Sequence, residues 1–351
     1  MKISFLGDIS FNGNYKDIYK SGKFPFNELD FLKKSDYVIG NLECFSKGIG
    51  ENELKSPRLN TSIETYNWLT NLNITHLGLA NNHVYDNLSE GFEKSIKKLA
   101  ELNIKFCGAG LLDEMESFLD IDKDGIKVRI LNFVDKDTNP KLPEDCPLSL
   151  AFFEEEKLIN SIQKHKVECD FLVLYIHWGG KSENLIYPEK KQIKQSERLL
   201  NSGVDLIVGH HSHTIQPSMN FNGKKVYYSL GNFCFSNIKL DDGSYYNLTK
   251  RNKEGLILTV DFSKEKLNIT EEYFVEQNES GEIILNEALK NIYKKESKKF
   301  NTLVRLNKEF SNLPIYYNKI IKYPIQFLKR GSLKSQLKKI NYAKIINYIK
   351  N

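Results

Sequence analysis

The chain has 351 residues, 40% of them hydrophobic and 27% charged, with a net charge of +5. That length exceeds what a disulfide- or metal-stapled miniprotein needs, and the ordinary apolar content excludes a disordered chain. The charge is divided unevenly: residues 290–351 hold 16 Lys and Arg against two Glu, whereas residues 1–289 carry a net charge of −9.

Along the first 235 residues, short apolar runs alternate with amphipathic stretches. Strands are predicted at Ile3–Gly7, Tyr37–Leu42, Ile74–Ala80, Lys105–Cys107, Val128–Val134, Phe171–Ile176, Asp205–Val208 and Lys225–Leu230. Helices are predicted at Ile63–Asn71, Ser89–Leu102, Glu154–His165 and Glu189–Asn201. Phe92, Ile96 and Leu99 share one face of the second helix, and Leu158, Ile162 and His165 one face of the third. Strands alternating with helices predict an α/β fold with crossover connections. Gly255–Phe262 and Leu267–Phe274 follow one another without a helix and read as a hairpin at a sheet edge or in a second sheet. Beyond about Glu282 the composition turns to Lys, Ile, Asn and Tyr, predicting a helical segment broken at Pro314, Pro324 and Gly331. The domain division expected is therefore 1–280 for the α/β domain and 281–351 for a basic helical extension.

No run approaches the ~18 apolar residues of a membrane span. Met1-Lys2 leads into an apolar stretch too short for a secretory leader. The five cysteines (Cys44, Cys107, Cys146, Cys169, Cys234) are scattered and form no CxxC pair, which points to a reducing compartment. These features predict a cytoplasmic protein.

The chemistry-bearing residues follow the apolar runs. Asp8 ends the first and Glu43 the second. Ala-Asn-Asn-His-Val-Tyr-Asp (80–86), Tyr-Ile-His-Trp-Gly-Gly (175–180) and Val-Gly-His-His-Ser-His-Thr (208–214) follow three others. In open α/β sheets ligands collect at the carboxyl ends of strands. Any one of these residues alone is an ordinary cap or turn; five strand ends with ligand-type residues together predict a metal centre. Carboxylates and imidazoles suit a hard-to-borderline divalent pair, which clamps the attacking and leaving oxygens of a phosphoryl transfer. His76, inside a strand, reads as a core residue, and His165, on a Lys-rich helix, as an exposed one.

The blocks Phe-Leu-Gly-Asp (5–8), Gly-Asn-Leu-Glu (40–43), Ala-Asn-Asn-His-x-x-Asp (80–86), Gly-Ala-Gly (108–110), His-Trp-Gly (177–179), Gly-His-His-Ser-His-x-x-Gln-Pro (209–217) and Tyr-Ser-Leu-Gly-Asn-Phe (228–233) resemble, in order, those of the CapA family. These are bacterial capsule or poly-γ-glutamate synthesis proteins, a branch of the calcineurin-like metallophosphoesterases. The resemblance implies a four-layer α/β/β/α sandwich and two divalent ions, Mn, Fe or Zn. It implies that Asp8 and His213 bind the first ion, that Glu43 bridges, and that Asn82, His177 and His211 bind the second. His83 would protonate the leaving oxygen and Asp86 would orient its ring. His210 would stand behind the ligands, and Asn41 and Arg58 would add contacts to an anionic small-molecule or polymer substrate.

The common Asp-x-His of that superfamily is here Asp8-Ile9-Ser10, so one histidine is missing and Asn12 or a water would substitute. The function implied is a metal-dependent phosphoesterase-like hydrolase of capsule or envelope polymer biosynthesis; the alternative is a non-hydrolytic metal-binding component of that machinery. The aromatic and basic run Leu313–Arg330 suits either an anionic membrane surface, which would make the chain membrane-peripheral, or packing of its apolar faces on the body with Lys turned to water, the commoner arrangement. No nucleic acid is expected, because no binding motif accompanies the charge.

Overall fold

The computed structural model describes residues 1–48, 58–112, 114–140 and 142–306. The run Leu313–Arg330 and its three predicted breaks lie outside these residues.

Two sheets dominate. The first has eight strands, in the order Ile283–Leu285, Leu267–Gln277, Glu254–Phe262, Lys2–Ile9, Tyr37–Leu42, His76–Gly78 and Lys105–Cys107, with Asn232–Cys234 alongside the end of Lys2–Ile9. The second has six, in the order Ser218–Phe221, Lys224–Tyr227, Leu206–His210, Phe171–His177, Ile126–Val134 and Phe118–Lys123. The central strands of both sheets run parallel, so their carboxyl ends lie together.

Apolar side chains on both faces of each sheet force a layered fold, since each face needs a cover. Between the sheets, Ile3, Phe5 and Ile39 meet Val128, Ile130, Val173 and Val208. On the outer face of the first sheet, Leu6, Val38 and Leu77 pack against Trp68, Phe92 and Leu99. The last two lie on the helix Leu88–Glu101. On the outer face of the second, Leu172, Leu174 and Ile207 pack against Leu158, Ile162, Leu199 and Leu200 of the helices Glu155–Lys166 and Lys190–Ser202. These are the four layers, α/β/β/α, that the sequence implied.

The edges depart from the sequence reading. Phe118–Lys123 is a strand paired antiparallel with Ile126–Val134. His165 is consequently half-buried instead of exposed: its ring is 5.7 Å from that of Phe118, and its Nδ1 is 3.3 Å from Arg129 Nη1. Residues 283–285 form an edge strand rather than helix, and the helix that follows is Ala288–Leu306. Leu289 and Tyr293 of this helix join the inter-sheet core, and Phe300 joins the outer core of the second sheet. Among the described residues, no helix is long and apolar enough to cross a membrane.

Candidate metal centre

Close backbone approach creates the site. A Cβ on Gly7 would sit 2.1 Å from the Gly231 carbonyl oxygen, so only glycine lets the Gly231 segment cross here, where the Asp8 N–H donates to Gly231 O at 3.0 Å. The register of Lys2–Ile9 shifts between Phe5 and Asp8, which re-aims the Asp8 carboxylate. After Leu206–His210 the chain turns sharply, with φ of 90° at His211 and 53° at His213, a left-handed backbone uncommon for non-glycine residues.

Asp8, Glu43 and His177 are buried, and their ligand atoms lie within 4.8 Å of one another. Around them the other donors sort into two groups. His177 Nε2 lies 2.8 Å from Asn82 Oδ1, 3.1 Å from His211 Nδ1 and 3.2 Å from Glu43 Oε1. His213 Nδ1 lies 3.0 Å from Asn232 Oδ1, 3.6 Å from Asp8 Oδ2 and 3.8 Å from Glu43 Oε2. Each Glu43 oxygen thus faces a different group.

Among the described residues, neither Glu43 oxygen finds a hydrogen-bond partner, and the Nε2 atoms of His210 and His211 are likewise buried and unpartnered. Buried polar atoms normally find partners. One ring nitrogen with at most one proton cannot satisfy three surrounding lone-pair atoms, whereas a cation can. The donor set of carboxylate, carboxamide oxygen and imidazole fits a divalent metal.

The electrostatics agree. Burial, reinforced by the charges of Asp8, Glu183 and Asp86, pushes the Glu43 carboxyl well above its usual range. Burial also raises Asp8, but its hydrogen bond to His210 and the charges of His210 and His213 outweigh this and hold it below the ordinary value. Burial and the neighbouring histidines push His177 well below its usual value, and burial and His213 bring His211 to about 3. Both imidazoles are neutral at neutral pH, the form that ligates metal.

The remaining predicted residues have distinct places. His210 Nδ1 donates to Asp8 Oδ1 at 3.0 Å. Asn41 is buried, its Nδ2 2.8 Å from Asp8 Oδ1 and 3.2 Å from His177 Nδ1, so it spans two ligands from behind instead of reaching outward to a substrate. His83 Nδ1 lies 2.7 Å from Asp86 Oδ2, which also accepts from the Leu59 N–H at 2.7 Å. Arg58, next in the chain, pairs with Asp241 at 2.6 Å. Asn12 does not stand in for the missing histidine: Ser10, Ser236 and Asn237 engage both ends of its carboxamide. The oxygen beside His213 belongs to Asn232.

Three asparagines had not been singled out. Asn132 Oδ1 accepts from the Ala80 N–H at 2.9 Å, and its Nδ2 donates to Tyr175 O at 2.9 Å, tying the Asn82–His83 loop to the second sheet. Its signal was a polar residue inside the apolar run Val128–Val134. Asn232 stood within a quoted block. Asn252 donates to Asn184 Oδ1 at 2.7 Å and His213 O at 3.0 Å, and accepts from Asn232 through its carbonyl; nothing in its local sequence distinguished it.

A four-layer sandwich whose parallel strands aim carboxylates, carboxamides and imidazoles at one buried point has the architecture expected of a phosphoesterase-like fold. Residues 2–237 match the family described as Bacterial capsule synthesis protein PGA_cap, and the chain belongs to that family. It is 31% identical over 254 residues to the PGA biosynthesis protein CapA of Bacillus subtilis (strain 168), covering 67% of this chain and 63% of that protein. It is 29% identical over 253 residues to the capsule biosynthesis protein CapA of Bacillus anthracis, covering 67% of this chain and 60% of that protein. The match thus spans a little over three fifths of the length of these relatives. Among solved structures, the calcineurin-like phosphoesterase YfkN from Bacillus subtilis is 14% identical, with 87% of this chain and 98% of that chain covered and a TM-score of 0.42.

Proposed function

We propose that this protein is a metal-dependent, phosphoesterase-like hydrolase of capsule or envelope polymer biosynthesis. One observation carries the reading: the two Glu43 oxygens, buried and without hydrogen bonds among the described residues, each face a separate group of imidazole and oxygen donors. Glu43 would bridge, Asp8, His213 and Asn232 would hold one divalent ion, and Asn82, His177 and His211 the other. Bound there, the pair would supply Lewis-acid polarisation of the scissile group and a nucleophile at neutral pH.

The chain supplies the rest. Asp86 accepts from the His83 Nδ1–H and would stabilise the imidazolium whose Nε2–H protonates the leaving oxygen. His83 lies close enough to His177 and His211 for its charge to lower both. Asn41 and His210 keep the Asp8 and His177 side chains in position. The names of the relatives support a place in capsule or poly-γ-glutamate synthesis, with an anionic substrate.

The test is hydrolysis of an aryl phosphodiester by metal-stripped protein titrated with manganese, zinc or iron, with His83→Ala and Glu43→Gln alongside. Metal-dependent turnover that disappears in both variants supports the proposal. Two tightly bound ions without turnover would favour the non-hydrolytic metal-binding role instead.

A further inference from the structure

Asn252 sits in the single helical turn Lys250–Lys253, just before the strand Glu254–Phe262 and beyond residues 2–237 that match the family. It is buried, and all of its polar atoms are engaged. Its N–H donates to Thr249 O at 3.1 Å. Its Oδ1 accepts from the Thr249 N–H at 3.0 Å and from the Thr249 hydroxyl at 2.6 Å. Its Nδ2 donates to Asn184 Oδ1 at 2.7 Å and to His213 O at 3.0 Å, and its carbonyl accepts from Asn232 Nδ2 at 2.8 Å.

Backbone groups fix the direction of this network, because an N–H only donates and a carbonyl only accepts. The Thr249 N–H requires the Asn252 oxygen to face it, which turns the Asn252 NH2 to the His213 carbonyl. The Asn252 carbonyl in turn requires the NH2 of Asn232. The Asn232 oxygen is therefore the atom left beside the centre, 3.0 Å from His213 Nδ1. Turned over, Asn232 would set oxygen against oxygen at Asn252 and offer the centre a nitrogen with no lone pair to give.

The same residue holds the backbone of a ligand. His213 has a left-handed φ of 53°, which a non-glycine residue keeps where its surroundings impose it. Asn252 takes the His213 carbonyl, and the Asn184 N–H takes the preceding one, Ser212 O, at 2.8 Å. Among the described residues, none of the bonds that Asn252 makes reaches Asn82, His177 or His211. Its action falls on one group of donors alone.

We propose that Asn252 is the positioning residue of the first-ion group. It turns the Asn232 oxygen toward the ion and holds His213 in place, and so secures the donor that stands in for the first-strand histidine, which is Ser10 in this chain. This rests on the reading above that Asp8, His213 and Asn232 hold one ion of a pair. The affinity of that ion is set through Asn252, and the affinity of the other is not.

The experiment uses the full chain, stripped of metal and titrated with manganese, as wild type, Asn252→Ala, Asn252→Asp and Asp120→Asn. Calorimetry counts the ions and their affinities, and electron paramagnetic resonance separates a coupled manganese pair from a single ion. Asn252→Asp keeps the shape and the acceptor for Thr249 but sets an oxygen against His213 O and Asn184 Oδ1. Its added charge alone would tighten a cation, so weaker binding isolates the lost hydrogen bonds. Asp120→Asn breaks an ion pair with Arg129 outside the centre and controls for lost stability. Wild type and Asp120→Asn should bind the coupled pair. Both Asn252 variants should bind one ion about 10–100-fold more weakly, leave the other unchanged and give the signal of a single ion. Undiminished affinity for both ions in Asn252→Ala, or an equal loss of both, overturns the assignment with the centre itself intact. Loss of the pair in Asp120→Asn as well overturns it too, since stability alone would then govern the first ion. Wild type that binds the pair without hydrolysing a diester overturns the hydrolase reading and leaves Asn252 in its role; wild type that binds fewer than two ions overturns both.

Discussion

Replacing Asn132 with alanine removes a side chain that bonds the segment leading into Asn82 and His83 to the second sheet. Two hydrogen bonds of 2.9 Å disappear, to the Ala80 N–H and the Tyr175 carbonyl. The Ala80 N–H lies outside the strands and is left buried without its partner, a cost of about 1–3 kcal/mol. Loss of the bond to Tyr175 O adds about 0.5–1.5 kcal/mol, since a strand carbonyl retains other partners. The sum, about 2–4 kcal/mol, is a large share of the ~5–15 kcal/mol that holds a domain folded. With a urea slope of about 3 kcal/mol per molar, the unfolding midpoint should fall by roughly 1 M. Metal affinity should fall with it, because Asn82 loses its tether. Urea denaturation of metal-free protein, followed by chelator competition on the loaded protein, measures both. A midpoint shift below about 0.2 M would show that the bridge contributes nothing and that other contacts hold the loop.

Further outcomes follow from single contacts. Asn41→Ala frees the Asp8 and His177 side chains it spans and should weaken metal binding about 10–100-fold, as removal of groups behind metal ligands typically does; chelator competition reads it. Asp86→Asn deprives His83 of its anionic partner and should lower kcat about 10–100-fold with little change in KM, the split being visible in steady-state kinetics on the diester. Asp120→Asn leaves the buried Arg129 guanidinium with Glu168 as its remaining acid and should cost about 1–3 kcal/mol at neutral pH. The hydrogen bond from Arg129 holds the Asp120 carboxyl below its ordinary value. A depressed carboxyl contributes stability that is present above its unfolded pKa of about 3.9 and is lost as pH falls through the folded value. The wild-type advantage in urea midpoint should therefore be flat from pH 7 to about 4 and shrink below it; an advantage that persists at pH 2 would refute the ion pair as its source.

The amino-acid sequence by itself determined the local elements and the kinds of residue at their ends. The runs before Asp8, Glu43, His177 and His210 are strands because continuous apolar residues buried on both faces admit little else, and the helices between them carry their period in Phe92, Leu99, Leu158 and Leu199. The ligand types were legible because polar residues abruptly ending apolar runs break a pattern. Tertiary structure alone decided which donors meet. The separation of the two Glu43 oxygens into different groups depends on how one sheet lies over the other, and no periodicity encodes that. Asn132, Asn232 and Asn252 act through hydrogen bonds to residues distant in sequence, and short polar side chains leave no mark on local patterns. The edge strand Phe118–Lys123, which half-buries His165, alternates too weakly to announce itself, and the identity of the oxygen beside His213 is settled only by the crossing at Gly7 and Gly231, where two backbones touch.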